Sequence, residues 1–160
     1  MASADDPFAE HNPLVMFVLV HAGVLGTPAL LVHGLWSGIL LLVRARRVPA
    51  AVTCTAALKS AALLVWAGAV GMYTWGLLLL AFTDDYGRSM ECHAVGAERV
   101  VGYDPSFVPL RSGCRLDDGR TVDVIVPDYV NPWVLLLTAC ALPLTMAVRA
   151  RNNRAEERTG

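Results

Sequence analysis

Two histidines near the start of the chain are the residues whose side chains could most readily do chemistry. His21 and His33 both fall within Pro13–Val43, a run that contains no Asp, Glu, Lys or Arg. Imidazole can bind haem iron, and a titratable group inside a membrane invites a functional hypothesis. His21 and His33 are therefore the candidate cofactor or proton site, with haem b or a quinone as the candidate cofactor.

The spacing of the two histidines limits that hypothesis. They are 12 residues apart, which is about 18 Å along a straight helix and about 120° around it. They cannot share one metal ion, and a second haem ligand would have to come from Met72, Met146 or another copy of the chain. The competing interpretation is two packing histidines, each satisfied by a backbone carbonyl or a hydroxyl. We favour that interpretation and predict no cofactor and no metal.

The four cysteines divide into two kinds. Cys92 and Cys114 are the only cysteines of the long connection 84–130, and an oxidising exterior would favour their pairing. Their disulfide would close a loop of about 23 residues, which contributes about 3 kcal/mol in the chain-entropy model. Cys54 and Cys140 lie in apolar segments and are expected to be small buried hydrophobic residues.

The same connection contains residue types that hydrolases use. His93 adjoins Cys92, and Ser106 or Ser112 with an aspartate could complete a triad. No nucleophile motif such as GxSxG surrounds either serine, and these residue types are common in any exposed loop. We therefore assign no catalytic residues, and an enzyme is the weaker hypothesis.

The elements that position these residues are apolar segments long enough to cross a bilayer. The chain is 55% hydrophobic and 17% charged with a mean hydropathy of +0.48, whereas soluble domains carry about 25% charged residues. The uncharged runs are Pro13–Val43, Ser60–Thr83 and Tyr129–Val148. Since about 20 helical residues cross the hydrocarbon core, three transmembrane helices are predicted.

The first run is longer than one straight crossing needs. Its 31 residues would reach about 46 Å as a helix, and Pro28 cannot donate to the carbonyl of Val24. We expect one tilted helix kinked near Pro28. The alternative is a surface or re-entrant segment over residues 13–25, followed by the true span.

Charge asymmetry predicts the orientation. Only acidic residues precede the first span, and the connection from Asp84 to Val130 holds nine acidic and five basic residues. Only basic residues lie between the first two spans, and basic residues follow the third: Arg44, Arg46, Arg47 and Lys59, then Arg149, Arg151, Arg154 and Arg158. The positive-inside rule then puts the N-terminus and the long connection outside and the C-terminus in the cytoplasm.

The predicted organisation is a mainly helical plasma-membrane protein with a small β-containing, disulfide-closed outer loop. Its segments are an outer tail at 1–12, helix 1 at 13–43, a cytoplasmic loop with the start of helix 2 at 44–59, helix 2 at 60–83, the outer cap at 84–130, helix 3 at 131–148 and a cytoplasmic tail at 149–160. Within the cap, "RLDDGRTVDVIV" predicts two strands around Asp118-Gly119, and "AERVVGYDP" predicts another extended piece ending at a proline turn.

Asn-Pro pairs stand before two of the spans. Asn12-Pro13 and Asn131-Pro132 both fit a helix start, since Asn is a good N-cap and Pro suits the first helical position. We therefore expect both asparagines to cap helices. A polar site formed by two facing asparagines is the minor alternative.

Small residues four apart mark helix-packing faces. Such spacing lets two helix backbones approach closely in a membrane. The positions are Ala22, Gly26, Gly34 and Gly38 in helix 1, and Ala67 and Gly71 in helix 2. The favoured interpretation is packing within one chain, and the alternative is contact with a partner helix or a homo-oligomer.

These features favour a binding function over a reaction. The sequence predicts a small membrane accessory protein that recognises another membrane protein through its cap and helix face, an immunity protein being one instance. Its other expected partners are lipid and further copies of itself. A net charge of −1 gives no basic field for nucleic acid. The rival hypotheses are a haem, quinone or transport subunit using His21 and His33, and a small enzyme of the cap.

Overall fold

The computed structural model describes residues 11–44, 50–83, 90, 92 and 100–157. In these residues the elements, in chain order, are α1 (Pro13–Arg44), α2 (Ala50–Phe82), β1 (Val100–Phe107), β2 (Leu110–Leu116), β3 (Thr121–Asp123) and α3 (Val130–Glu156). The three helices are long and apolar enough to cross a membrane over Pro13–Val43, Thr53–Phe82 and Val130–Arg154. The protein is therefore mainly helical, with a small sheet.

Helix α1 begins at a capped asparagine. The side-chain Oδ1 of Asn12 accepts hydrogen bonds from the backbone N–H of Leu14 at 3.0 Å and of Val15 at 3.4 Å. These amides have no partner within the helix, so the cap satisfies two groups that would otherwise need water. The expectation for Asn12 is confirmed. From there α1 continues through Pro28 to Arg44 as one helix.

The chain divides into two compact units. The first, which we call the sheet unit, comprises the described residues of Met1–Ala22 and Met72–Pro132. The second, the helical unit, comprises the described residues of Gly23–Gly71 and Trp133–Gly160. Each helix therefore contributes one end to the sheet unit and the rest of its length to the helical unit.

In the helical unit, α1 and α2 pack at small residues. A Cβ built on the glycine of each contact would lie 3.0–3.1 Å from a side-chain atom of the other helix. The contacts are Thr27 with Gly71, Gly34 with Leu64, and Gly38 with Ser60. Each step forward along α1 matches an equal step backward along α2, so the two helices are antiparallel.

A hydrogen bond within this pair adds to the close packing. The Ser60 hydroxyl donates to the Gly34 carbonyl at 2.7 Å, which requires the two backbones to be near each other. Ala67 is buried in α2. Gly34, Gly38 and Gly71 thus lie at contacts within one chain, the interpretation that the sequence favoured.

Ala22 and Gly26 do not share that role. Ala22 is exposed, and a Cβ built on Gly26 would meet nothing within 4 Å among the described residues. The four-residue spacing is the same as that of Gly34 and Gly38, but the register places it on another side of α1. For these two positions the expectation of packing within the chain is corrected.

The third helix also joins the helical unit through α2. The Trp66 indole donates to the Thr145 hydroxyl at 3.1 Å, and that hydroxyl donates to the Ala141 carbonyl at 2.8 Å. Gly68 faces the side chain of Leu137. A polar ring nitrogen inside an apolar bundle is thereby satisfied.

The sheet unit contains an antiparallel sheet of order β1-β2-β3. Strand β1 pairs with β2 from Gly102–Arg115 to Phe107–Leu110, and β2 pairs with β3 from Gly113–Asp123 to Arg115–Thr121. The unit's most buried apolar side chains come from α2, β2, the two cysteines and the start of α3: Leu77, Leu80, Leu110, Cys92, Cys114, Val126 and Val130.

The disulfide expected from the sequence is present. Cys92 and Cys114 are bonded, with their Cα atoms 6.0 Å apart, and both are buried. Because Cys114 lies in β2, the bridge attaches the segment around Cys92 to the central strand of the sheet.

The strand ends differ from the expected ones. Strand β1 passes through Pro105 and ends at Phe107, whereas the sequence predicted a turn at that proline. β1 lies at the edge of the sheet, where a residue without an N–H is tolerated. Strand β3 ends at Asp123, and Val126 is buried in the core beyond the strand.

Candidate functional site

The turn between β1 and β2 is held by side chains from α2, from the start of α3 and from the residue two positions before α1. The His11 Nε2–H donates to the Ser106 carbonyl at 3.3 Å, and the Tyr73 hydroxyl donates to the Phe107 carbonyl at 2.8 Å. Asn131 bonds both backbone groups of Leu110. We call His11, Tyr73 and Asn131 the hairpin clamp.

Asn131 has a different role from the one predicted. Helix α3 begins at Val130, whose N–H donates to the Pro127 carbonyl at 3.0 Å. Asn131 is thus already inside the first turn, and its amide is turned towards the sheet. Its Oδ1 accepts from the Leu110 N–H at 3.0 Å, and its Nδ2 donates to the Leu110 carbonyl at 2.9 Å. The expectation that both asparagines cap helices is correct for Asn12 and wrong for Asn131.

Close packing supports the clamp. Leu110 is only 1% exposed, and a Cβ on Gly76 would lie 2.6 Å from its Cδ2 and 3.1 Å from Val130 Cγ1. Gly76 therefore lets β2 and the start of α3 approach α2. The His11 ring meets the Phe107 ring edge-on at 4.8 Å between centroids. The turn is fixed by apolar contact as well as by hydrogen bonds.

The two central residues of this turn face away from the protein. Val108 is 87% exposed, the highest value among the large apolar side chains of the described residues. Pro109 is exposed as well, and the Val108-Pro109 peptide bond is cis. An apolar side chain is thus exposed on a turn whose flanking backbone is hydrogen-bonded to the hairpin clamp.

The opposite end of β2 leads to a charged turn. Asp118 accepts from the Arg120 backbone N–H at 2.9 Å and from its Nε at 2.6 Å, and Gly119 has a φ of 81°. These bonds, the backbone one first, hold the pKa of the Asp118 carboxyl below its usual range. A second pair, Arg111 Nε with Asp123 Oδ2, lies at 3.3 Å between β2 and the end of β3.

The two turns lie at opposite ends of one strand. Strand β2 has seven residues, so its ends are about 20 Å apart. The Val108-Pro109 turn is apolar, and the Asp117–Arg120 turn is charged and exposed. The sheet therefore presents two chemically distinct surfaces.

The candidate histidines of α1 are both exposed and lie in different units. The Nδ1–H of His21 donates to the Phe17 carbonyl at 2.8 Å, and the two rings are 3.9 Å apart between centroids. The neutral ring then has its lone pair on Nε2. His33 lines an open groove on α1. The groove's residues are Pro28, Ala29, Val32, His33 and Trp36.

The candidate hydrolase residues are partly described. His93 lies outside the described residues. Ser112 is buried, and Ser106 takes part in the clamp through its carbonyl. Among the described residues, no group of three or more His, Cys, Asp or Glu side chains is arranged to hold a metal ion.

The free cysteines are exposed, contrary to the sequence-based expectation. Cys54 and Cys140 both lie on outward faces of their helices. Cys54 Sγ accepts a hydrogen bond from Arg151 Nη1 at 3.0 Å, which joins α2 to α3 in the helical unit. In a membrane helix apolar residues face lipid as readily as protein, so an apolar neighbourhood in the sequence does not predict burial.

His11 and Tyr73 were missed as functional positions. One signal for Tyr73 was available: a tyrosine hydroxyl in an uncharged helix needs a partner. His11 carries no such signal, because it stands outside the apolar run in a polar tail.

No family model matches the chain, and no curated protein or solved structure matches it. The fold and the site together define a class, namely a small protein with three helices able to cross a membrane and a disulfide-closed sheet held on helix ends.

Proposed function

We propose that the protein is a small integral membrane accessory protein that recognises another membrane protein through its extracytoplasmic cap. The observation that carries the proposal is the hairpin clamp. Three side chains, two of them from helices, donate hydrogen bonds to the backbone beside one turn, and a disulfide joins β2 to Cys92. A connection that only joined two helices would need neither the hairpin clamp nor the disulfide. A fixed surface lowers the entropic cost of binding a partner.

The orientation rests on charge. In the proposed arrangement the N-terminus and the cap are outside, and the arginines after α3 are in the cytoplasm. Arg149, Arg151 and Arg154 are all exposed, as cytoplasmic anchors need to be. The plasma membrane is the proposed location, since a cap with a disulfide belongs in an oxidising compartment.

The charged turn is the proposed recognition surface. Asp117, Asp118 and Arg120 are exposed about 20 Å from the apolar end of β2. The Asp118–Arg120 bonds keep the turn ordered. Charges of both signs at fixed positions favour a partner whose charges are arranged in a complementary way. They disfavour other partners through repulsion between like charges.

The small residues of α1 have separate roles in this proposal. Gly34 and Gly38 serve the contact with α2. The face with Ala22 and Gly26 has room beside it and is the proposed contact for a second copy or a partner helix.

Photo-crosslinking in native membranes tests the function. A crosslinking amino acid at Asp117 is compared with one at Leu35, which is exposed on α1. We expect defined protein adducts from Asp117, and we expect them to disappear in the Cys92→Ser/Cys114→Ser variant and to weaken in Asn131→Ala. If Asp117 gives no protein adduct, or if adducts persist unchanged without the bridge, the cap is not the recognition surface.

One observation favours the rival redox hypothesis. The His21 Nδ1–H bond to Phe17 leaves Nε2 as the nitrogen available to haem iron, with the ring exposed on α1. The residue that would hold the iron together with His21 would come from a second copy of the chain or from a methionine, for which the sequence offers Met72 and Met146. An absorption spectrum of the purified protein distinguishes the two hypotheses. A Soret band that is lost in His21→Ala would support haem binding and overturn the accessory function.

A further inference from the structure

We infer that the exposed Val108-Pro109 turn inserts into the lipid interface of the bilayer that the helices cross. This inference requires only that the helices span a membrane. It holds for either orientation of the chain and does not depend on the identity of a protein partner.

The depth of the turn follows from its anchors. Asn131, which bonds Leu110, is the second residue of the candidate span Val130–Arg154. His11, which bonds Ser106, stands two residues before the candidate span Pro13–Val43. The turn is thus held at the point where two chain segments enter the bilayer.

Exposed aromatic residues lie at the start of α3. Tyr129 and Trp133 are each 49% exposed and lie two residues to either side of Asn131 in the chain. Tyrosine and tryptophan prefer the membrane–water interface, where one part of the ring system is apolar and the other is wet. In our inference, Val108 and Pro109 lie in this same interface.

The backbone on either side of the turn meets the condition for contact with lipid. Unsatisfied N–H and C=O groups are costly in hydrocarbon. The clamp satisfies the carbonyls of Ser106, Phe107 and Leu110 and the N–H of Leu110. Pro109 has no N–H to satisfy.

The polarity of the sheet agrees with this placement. The end of β2 near the helix starts carries Val108 and Pro109, and the end about 20 Å away carries Asp117, Asp118 and Arg120. The apolar end faces the bilayer and the charged end faces water.

Spin-label accessibility tests the inference. Two proteins are made, each lacking the free thiols through Cys54→Ser and Cys140→Ser. One carries Val108→Cys, and the matched control carries Asp117→Cys at the other turn. Each new cysteine is labelled with a nitroxide. Both proteins are placed in phosphatidylcholine–phosphatidylglycerol vesicles without other proteins. The Cys92–Cys114 bridge is verified by mass spectrometry of unreduced peptides. Collisions with oxygen, which enters lipid, are compared with collisions with a water-soluble nickel chelate.

We expect the oxygen-to-nickel accessibility ratio to be several-fold higher at residue 108 than at residue 117. Equal ratios would overturn the inference. Protection of residue 108 from both oxygen and nickel in the vesicles would indicate that a second copy of the chain covers the turn. The same labels are then measured in native membranes, where protection of residue 108 from nickel that is absent in vesicles would indicate a protein occupant. Either result would also overturn it. None of these outcomes changes the crosslinking result at Asp117, so the proposed function is tested separately.

Discussion

The side chain of Asn131 forms two hydrogen bonds with the backbone of Leu110, donating to its carbonyl at 2.9 Å and accepting from its N–H at 3.0 Å. One asparagine in the first turn of α3 thereby acts as a strand partner for a residue at the start of β2. This pairing connects the start of α3 to the sheet.

Replacing Asn131 with alanine should loosen the sheet. Both backbone groups of Leu110 lose their partner next to a buried side chain, and each buried unsatisfied group costs about 1–3 kcal/mol. Amide hydrogen exchange in β1 and β2 should accelerate. Asn12→Ala is the matched control, because it removes a helix cap worth about 1 kcal/mol and should leave exchange in the strands nearly unchanged. Equal exchange in both variants would contradict the role assigned to Asn131.

Two glycine substitutions should act in opposite directions. Gly76→Ala places a Cβ 2.6 Å from Leu110 Cδ2 in a filled part of the sheet unit, and such overpacking costs about 1–3 kcal/mol. Gly26→Ala meets nothing within 4 Å and gains helix propensity of up to about 1 kcal/mol. Thermal unfolding in detergent should show a lower Tm for the first variant and an equal or higher Tm for the second. The measurement uses the monomeric protein, in which a Gly26→Ala variant as unstable as Gly76→Ala would mean that another segment of the same chain occupies this face of α1.

Removing the disulfide should destabilise the sheet unit. The bridge joins residues 22 apart in sequence, and closing such a loop contributes about 3 kcal/mol in the chain-entropy model. Cys92→Ser/Cys114→Ser should lower the urea midpoint, and reductant should do the same to the native protein. Cys54→Ser/Cys140→Ser is the control, with no change expected, since these thiols are free. An unchanged midpoint after loss of the bridge would refute this.

Acidification should loosen the β2–β3 turn. The Arg120 bonds lower the pKa of Asp118 in the folded state. Their contribution to the stability of the turn is therefore complete when the pH is above 3.8, the ordinary pKa of this carboxyl. It is lost as the pH falls below that value and through the folded-state pKa. The Arg120 amide resonance should follow this titration in an NMR experiment. In Asp118→Asn the titration should be absent, and a titration that persists there would assign it to another carboxyl.

Local patterns were enough to predict several elements. The lengths of the uncharged runs indicated three apolar helices, and Asp118-Gly119 indicated a tight turn between strands. Cys92 and Cys114 were the only two cysteines in their connection, so their pairing needed no geometry. Asn12 caps a helix because its side chain bonds amides two and three residues away. In each case the interacting groups are near in sequence, or the choice of partners is narrow.

The tertiary structure decided what local patterns leave open. Asn12-Pro13 and Asn131-Pro132 are equal in sequence, yet only Asn131 bonds a strand, because Leu110 lies beside it. Ala22–Gly26 and Gly34–Gly38 share one spacing, yet only the second pair faces α2. Residue spacing along a helix shows which side chains share a helix face. The segment that packs against that face depends on how parts of the chain that are distant in sequence come together. Hydrogen bonds between such segments, as at His11, Tyr73 and Asn131, have no periodic signal because their partners are separated by 21 to 95 residues.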